Sequence, residues 1–239
     1  MFYFLVPAYN EEANIPLLAK NLIDFKCSDE KTFVFVDDCS SDNTIDTLKT
    51  HFAGENLEVI TKEVNGGPGD SFNIGFKWII ENSKSDSDKI ITLEADNTSD
   101  IGILSNMLTI SDLGFDLVLA SVYAQGGGFV NTSLFRKVLS ITANFFIRNI
   151  LDIKVLTMSS FYRVYSMSVL KNIDEKFDKI IEEEGFISMV EILYKAVKVD
   201  AKIIEVPMQL NSKNREGKSK MKIMSTGISY LKFLAKKKS

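Results

Sequence analysis

The sequence predicts an α/β domain built on a mostly parallel central sheet flanked by helices, and three observations predict it. Five runs rich in aliphatic, aromatic and β-branched residues recur through the first half, at 2–6, 32–36, 57–61, 89–93 and 116–121. Several are nearly continuous in apolar character, as strands covered on both faces are. Helix-type stretches separate them, and strand–helix alternation is the pattern of a doubly wound sheet. Acidic, amide or glycine-rich segments follow the first four runs directly, at the sheet edge where open α/β folds bind ligands.

Each element has its own justification. The run at 2–6 leads into Pro7-Ala8-Tyr9-Asn10-Glu11-Glu12. A helix is expected from near Asn10 to about Phe25, with Glu11 and Glu12 in its first turn, where carboxylates meet the positive end of the dipole. The run at 32–36 leads into Asp37-Asp38-Cys39-Ser40-Ser41-Asp42, and a helix is expected from Asp42 or Asn43. The run at 57–61 leads to Asn65-Gly66-Gly67-Pro68-Gly69, a turn opening a third helix after Asp70. The run at 89–93 leads to Glu94-Ala95-Asp96, with a fourth helix after Ser99-Asp100. The second half predicts a long helix over 132–151, a strand over 161–166 and a strand over 202–210. Ile187, Val190, Leu193, Tyr194 and Val197 recur at helical spacing and predict a helix over 184–198. A polar, basic loop over 213–222 and an amphipathic helix over 221–234 end the chain. One domain over 1–212 is expected, with 213–239 packed on the same body.

Composition narrows the class. The chain has 239 residues, 45% hydrophobic and 25% charged, which suits one large domain. Its two cysteines, Cys27 and Cys39, provide no disulfide framework and fit a reducing compartment. With no basic leader and no apolar run near the length of a membrane span, a cytoplasmic location is expected, with peripheral attachment at the inner face of the membrane through the basic end. The net charge of −4 is unevenly distributed. From Lys213 onward there are nine basic residues and one acid, so the preceding body carries −12. A cationic segment on an acidic body points to a phosphate group or a lipid surface. No nucleic-acid partner is expected.

Glu94 and Asp96 are two apart and lie on one side of an extended chain. Such a pair suits a hard divalent cation, Mg²⁺ or Mn²⁺, and equally reads as a pair of capping acids before Ser99-Asp100. Asp37 and Asp38 suit a ribose or base N–H groups. A dinucleotide oxidoreductase would carry Gly-x-Gly-x-x-Gly after the first strand, where Pro7-Ala8-Tyr9-Asn10 stands.

Taken together, the motifs resemble the family 2 glycosyltransferases, most of all the branch of dolichol-phosphate mannose synthases and polyprenyl-phosphate glycosyltransferases. The resemblance rests on Val6-Pro7-Ala8-Tyr9-Asn10-Glu11, Val36-Asp37-Asp38-Cys39-Ser40-Ser41-Asp42-Asn43-Thr44, Asn65-Gly66-Gly67 and Glu94-Ala95-Asp96. It continues through Ser160-Phe161-Tyr162-Arg163-Val164-Tyr165, Glu184-Gly185-Phe186 with Glu191, Glu205-Val206-Pro207 and Arg215-Glu216-Gly217-Lys218-Ser219-Lys220.

That resemblance implies a GT-A fold and inverting transfer of a sugar from a nucleotide-diphosphate sugar to a polyprenyl phosphate or a glycan. It implies that Pro7, Tyr9, Glu11, Val36, Asp38, Ala95, Arg136, Arg215 and Lys220 bind the donor. Glu94 and Asp96 would hold the cation, Asp96 would also be catalytic, and Glu183 would be the general base for a hydroxyl acceptor. The three carboxylates at 182–184 read equally as an acidic start to the helix that follows. Departures from the branch are Glu94 for its first DxD aspartate, Thr98 for a ligating glutamine, Val122 for an arginine, and a basic loop one residue shorter. They keep open a second reading, a nucleotide-sugar-binding protein without transferase activity.

Overall fold

The computed structural model describes residues 1–217 and 223–238. Five strands, β1 (Phe2–Ala8), β2 (Lys31–Asp37), β3 (Leu57–Thr61), β4 (Lys89–Thr92) and β5 (Leu117–Ser121), alternate with α1 (Ile15–Asp24), α2 (Thr44–His51), α3 (Gly67–Asn82) and α4 (Leu104–Asp112). A short strand β6 (Gly128–Val130) leads to the long helix α5 (Leu134–Leu151). Then come β7 (Arg163–Ser166), α6 (Met167–Lys176), α7 (Ser188–Lys198), β8 (Ile203–Pro207), β9 (Gln209–Asn211) and α8 (Ile223–Lys238).

Seven strands form one sheet in the order β3-β2-β1-β4-β7-β5-β8. All neighbours are parallel except β7, which runs antiparallel between β4 and β5. Successive residues on a strand feed opposite layers. Tyr3, Leu5, Val34, Val36 and Ile90 pack with α3, α6 and α7, while Phe4, Val6, Phe33, Phe35 and Ile91 pack with α1, α2 and α4. Both faces are therefore dry, which is why these strands read as continuous apolar runs.

Three expectations need correction. The first helix begins at Ile15, not near Asn10. Asn10 adopts a left-handed backbone, φ 53°, and the following residues turn. Glu12 lies outside the helix and serves the neighbouring one instead, accepting the Asn43 N–H at the start of α2 at 3.2 Å. The strand expected over 202–210 is two strands in two sheets, since β9 leaves the main sheet to pair with β6. The helix expected from Glu184 begins at Ser188, because the main chain at 182–184 bonds to α3 and α7.

The C-terminal helix α8 packs on α5, with Phe233 and Leu234 buried. Helix α5 itself buries little beyond Asn144 and Ile147. Leu134, Phe135, Val138, Ile141, Phe145 and Phe146 are exposed along it, and Leu231 on α8 is 71% exposed. No helix among the described residues is long and apolar enough to cross a membrane.

Candidate active site

The chain moves from β1 outward to β2 and β3, then returns to β4 on the other side of β1. Connections after β1 and β4 consequently diverge, and a crevice opens between them. Pro7, Tyr9 and Glu11 come from the first connection; Glu94, Ala95 and Asp96 come from the second. Local hydrogen bonds tie the edge together. Asn10 N–H donates to Ser40 Oγ at 2.8 Å, Ser41 N–H to Asn10 Oδ1 at 2.7 Å, and Glu11 N–H to Thr44 Oγ1 at 2.8 Å.

Asp96 is buried, and both its oxygens are engaged. Oδ1 accepts Thr98 N–H at 3.0 Å and Thr98 Oγ1–H at 2.6 Å. Oδ2 accepts the Arg215 guanidinium through Nε at 2.6 Å and through Nη2. Glu94 Oε2 accepts Ser99 Oγ–H at 2.8 Å. Burial, and then the charge of Asp96, push the Glu94 carboxyl up to about 7. Two carboxylates thus crowd one spot, and a guanidinium supplies the positive charge there. This donor set fits a hard divalent cation, with Arg215 as its stand-in. Among the described residues no group of three or more His, Cys, Asp or Glu could hold a metal, so a cation would rest on this pair and on oxygens of a bound ligand.

Glu11 is linked to the Arg215 segment through Asn14. Glu11 Oε2 accepts Asn14 Nδ2–H at 2.7 Å, and Asn14 also bonds the main chain of Glu216. Tyr9 is exposed at the rim and Pro7 half-buried. Ala95 is buried, so only its main chain can meet a ligand. Val36 is fully buried in the core beside Val34, so its side chain packs the α3 layer and is withdrawn from any nucleotide.

Asp38 stands at the end of β2 with its carboxylate taken up internally. Oδ1 accepts Lys62 Nζ at 2.6 Å and Gly66 N–H at 2.8 Å, and Oδ2 accepts Gly67 N–H at 2.8 Å. Its work in this structure is to fold the Asn65-Gly66-Gly67 turn against the sheet edge. That turn opens α3, and Gly69 N–H donates to Glu184 O at 2.6 Å.

Glu183 lies beyond the turn, in a separate cleft of ≈ 590 Å³ bordered by Asn65, Gly66, Gly67, Glu182, Glu184 and Lys236. Its main chain is held by Glu191, whose carboxylate accepts the N–H groups of Glu182 and Glu183 at 3.0 and 2.8 Å. Glu191 is 1% exposed and paired with the fully buried Lys195 at 2.8 Å. Arg136 is exposed in the first turn of α5, which starts beside the β6–β9 ribbon through a 2.7 Å hydrogen bond between Thr132 and Ser212 hydroxyls. Lys220 lies outside the described residues.

The structure therefore gathers Glu94, Asp96 and Arg215 at one point, with Glu11 linked to them through Asn14. It puts Asp38 farther along the same edge and Glu183 across the start of α3, while Arg136 sits near the base of the Arg215 loop. Sequence reasoning missed Asn14 and Lys62 as contributors, and it noted Thr98 only as a departure at the place of a ligating glutamine. Lys62, one residue past β3, carried a readable signal as a cation at a strand end facing two aspartates.

Known proteins resemble this chain in sequence and in fold. The family model described as glycosyl transferase family 2 matches residues 3–174. The polyprenol monophosphomannose synthase of Mycolicibacterium smegmatis is 29% identical over 220 residues, covering 91% of this chain and 79% of that protein. The undecaprenyl-phosphate mannosyltransferase of Micrococcus luteus is 28% identical over 218 residues, covering 91% of this chain and 86% of that protein. Among solved structures, residues 1–349 of S. aureus TarS with UDP-GlcNAc align with a TM-score of 0.60 at 23% identity, over 91% of this chain and 59% of that one. Glucosyl-3-phosphoglycerate synthase from Mycobacterium tuberculosis, with Mn²⁺, UDP-glucose and phosphoglyceric acid, aligns with a TM-score of 0.64 at 15% identity, over 97% of this chain and 76% of that one. The α/β fold expected above is shared with both structures.

Proposed function

The chain belongs to glycosyl transferase family 2, and from that premise we propose that it transfers a sugar, with inversion, from a nucleoside-diphosphate donor to a polyprenyl phosphate. The observation that carries this reading is the meeting of Asp96 with Arg215 in the β1–β4 crevice. An acidic pair suited to a cation and a guanidinium suited to a diphosphate stand at one point, where the fold binds ligands. Asp96 and Glu94 would hold Mg²⁺ or Mn²⁺, which supplies charge neutralisation to a departing diphosphate. Pro7, Tyr9 and Glu11 flank the nucleoside, and Arg215 turns from Asp96 toward the phosphates. An ionised acceptor oxygen attacks the anomeric carbon while the bond from that carbon to the diphosphate breaks. A phosphate acceptor needs no general base, so Glu183 has no proton to take in this reaction; a glycan hydroxyl would require one.

The apolar flank of α5 and α8 supports a lipid-borne acceptor. An exposed row of Phe, Leu, Ile and Val with Arg136, Lys137, Arg148 and Lys232 on the same two helices matches an anionic leaflet, here the cytoplasmic one. The test is transfer of labelled sugar from GDP-, UDP-, dTDP- and CDP-sugars into the organic phase from vesicles carrying polyprenyl phosphate, with Mn²⁺. Asp96→Ala is expected to lose about 100-fold or more of the activity while keeping its folded circular-dichroism spectrum, in line with several kcal/mol from the cation. Label entering no lipid from any donor, or full activity in the variant, would overturn the reading.

A further inference from the structure

We propose that Asn14 is a positioning residue that seats the Arg215 loop on the active site, and that the seated loop competes with the divalent cation for Asp96. The inference goes beyond the proposed reaction and rests on it only for naming the cation.

Asn14 is 3% exposed and lies just before α1. Its side chain is read on every side. Oδ1 accepts Glu216 N–H at 2.8 Å, and Nδ2 donates to Glu216 O at 3.2 Å and to Glu11 Oε2 at 2.7 Å. An asparagine amide carries one acceptor and two donors, so it can clasp both polar groups of one residue's main chain as a neighbouring strand would. Its own backbone oxygen accepts Asn97 Nδ2–H at 2.9 Å, which ties the clasp to the segment that follows Asp96. The residue it holds is 202 positions away and directly follows Arg215. With Glu216 fixed, the guanidinium falls on Asp96 Oδ2 through two nitrogens.

That contact has a consequence for ligand order. Arg215 covers one Asp96 oxygen and Thr98 the other, so a cation must displace the guanidinium before Asp96 can coordinate it. Freed Arg215 is then available to a diphosphate. Cation and donor would therefore enter together, and the cation alone would bind weakly.

Amide hydrogen exchange over 211–217 and titration with Mn²⁺ alone, without nucleotide, test this on the full chain. Asn14→Ala should speed exchange of that segment about 10-fold or more, the loss expected from about 1.4 kcal/mol of clasp. It should also raise Mn²⁺ affinity several-fold, to the level of Arg215→Ala, and the double variant should show no further rise. A structural defect alone would not tighten cation binding. Should Asn14→Ala fail to fold, Glu216→Pro removes the clasped N–H from an exposed residue whose predecessor is already extended, and the same two outcomes are expected. Unchanged exchange over 211–217 in the folded variant overturns the clasp. Faster exchange with unchanged Mn²⁺ affinity, while Arg215→Ala binds more tightly, overturns the role of Asn14 in holding Arg215 on Asp96; no gain of Mn²⁺ affinity in Arg215→Ala overturns the competition. If Mn²⁺ binds no variant, the cation reading of Asp96 falls and the exchange result still decides the role of Asn14.

Discussion

Replacing Gly69 by alanine tests how firmly the acidic segment at 182–185 is fitted against α3. A Cβ at this position would lie 1.9 Å from Glu183 O, 2.7 Å from Ser188 Cβ and 2.9 Å from the Glu184 carbonyl carbon. Two of the three atoms are backbone, so no side-chain rotation relieves the clash. The segment must move, and the 2.6 Å bond from Gly69 N–H to Glu184 O goes with it. Overpacking costs about 1–3 kcal/mol and a lost hydrogen bond about 1 kcal/mol. The sum, about 2–4 kcal/mol, corresponds to a fall in Tm of about 4–16 °C for a domain of this size. Gly185→Ala is the internal control. It lies in the same segment with nothing within 4 Å of its added Cβ, so its Tm should stay within about 2 °C. Circular-dichroism melts of both variants decide the matter. Equal melting of Gly69→Ala and Gly185→Ala would refute the claim that 182–185 is packed to contact on α3.

Two further outcomes are expected. Asp38→Ala leaves half-buried Lys62 with Asp70 as its remaining acidic partner and strips an acceptor from two backbone N–H groups. A loss of about 2–3 kcal/mol in urea unfolding is expected, mostly from the two stranded N–H groups, and a loss below about 1 kcal/mol would return Asp38 to a purely ligand-facing role. Glu94, with its carboxyl at about 7 in the folded chain against 4.5 unfolded, holds its proton more tightly when folded. Its contribution to stability is therefore present below pH 4.5 and is lost as pH rises toward 7, by at most about 3 kcal/mol. Cation binding must expel that proton, so calorimetry at pH 6 in buffers of different ionisation enthalpy should show release approaching one proton per Mn²⁺, fading above pH 8. No release at pH 6 would detach Glu94 from the cation.

The architecture was legible because the strands are buried on both faces. Phe4, Leu5 and Val6 serve alternate layers, so apolar residues appear in succession and mark β1 unambiguously. The crevice residues were legible for a related reason, since strand ends of a parallel sheet collect at one edge. What failed to show were features decided by distant partners. Glu11 and Glu12 look like first-turn acids, yet Thr44 and Asn43 hold that segment outside the helix. Strands β6 and β9 are three residues each, too short for a periodic signal. Glu191 and Lys195 sit four apart on α7, a spacing typical of a solvated helix face, and only the packed structure buries both. Arg215 and Asp96 are separated by 119 positions, and charge counting alone could match the loop to an anion but not to that carboxylate.

The clasp between Asn14 and Glu216 also orders events during synthesis. Most of the crevice lies between Tyr9 and Asp96 and can take shape before the Arg215 segment emerges. Its cationic wall is encoded more than two hundred residues after its anchor. A nascent chain would carry an acidic notch with no cover until residues 211–217 clear the ribosome and Arg215 meets Asp96.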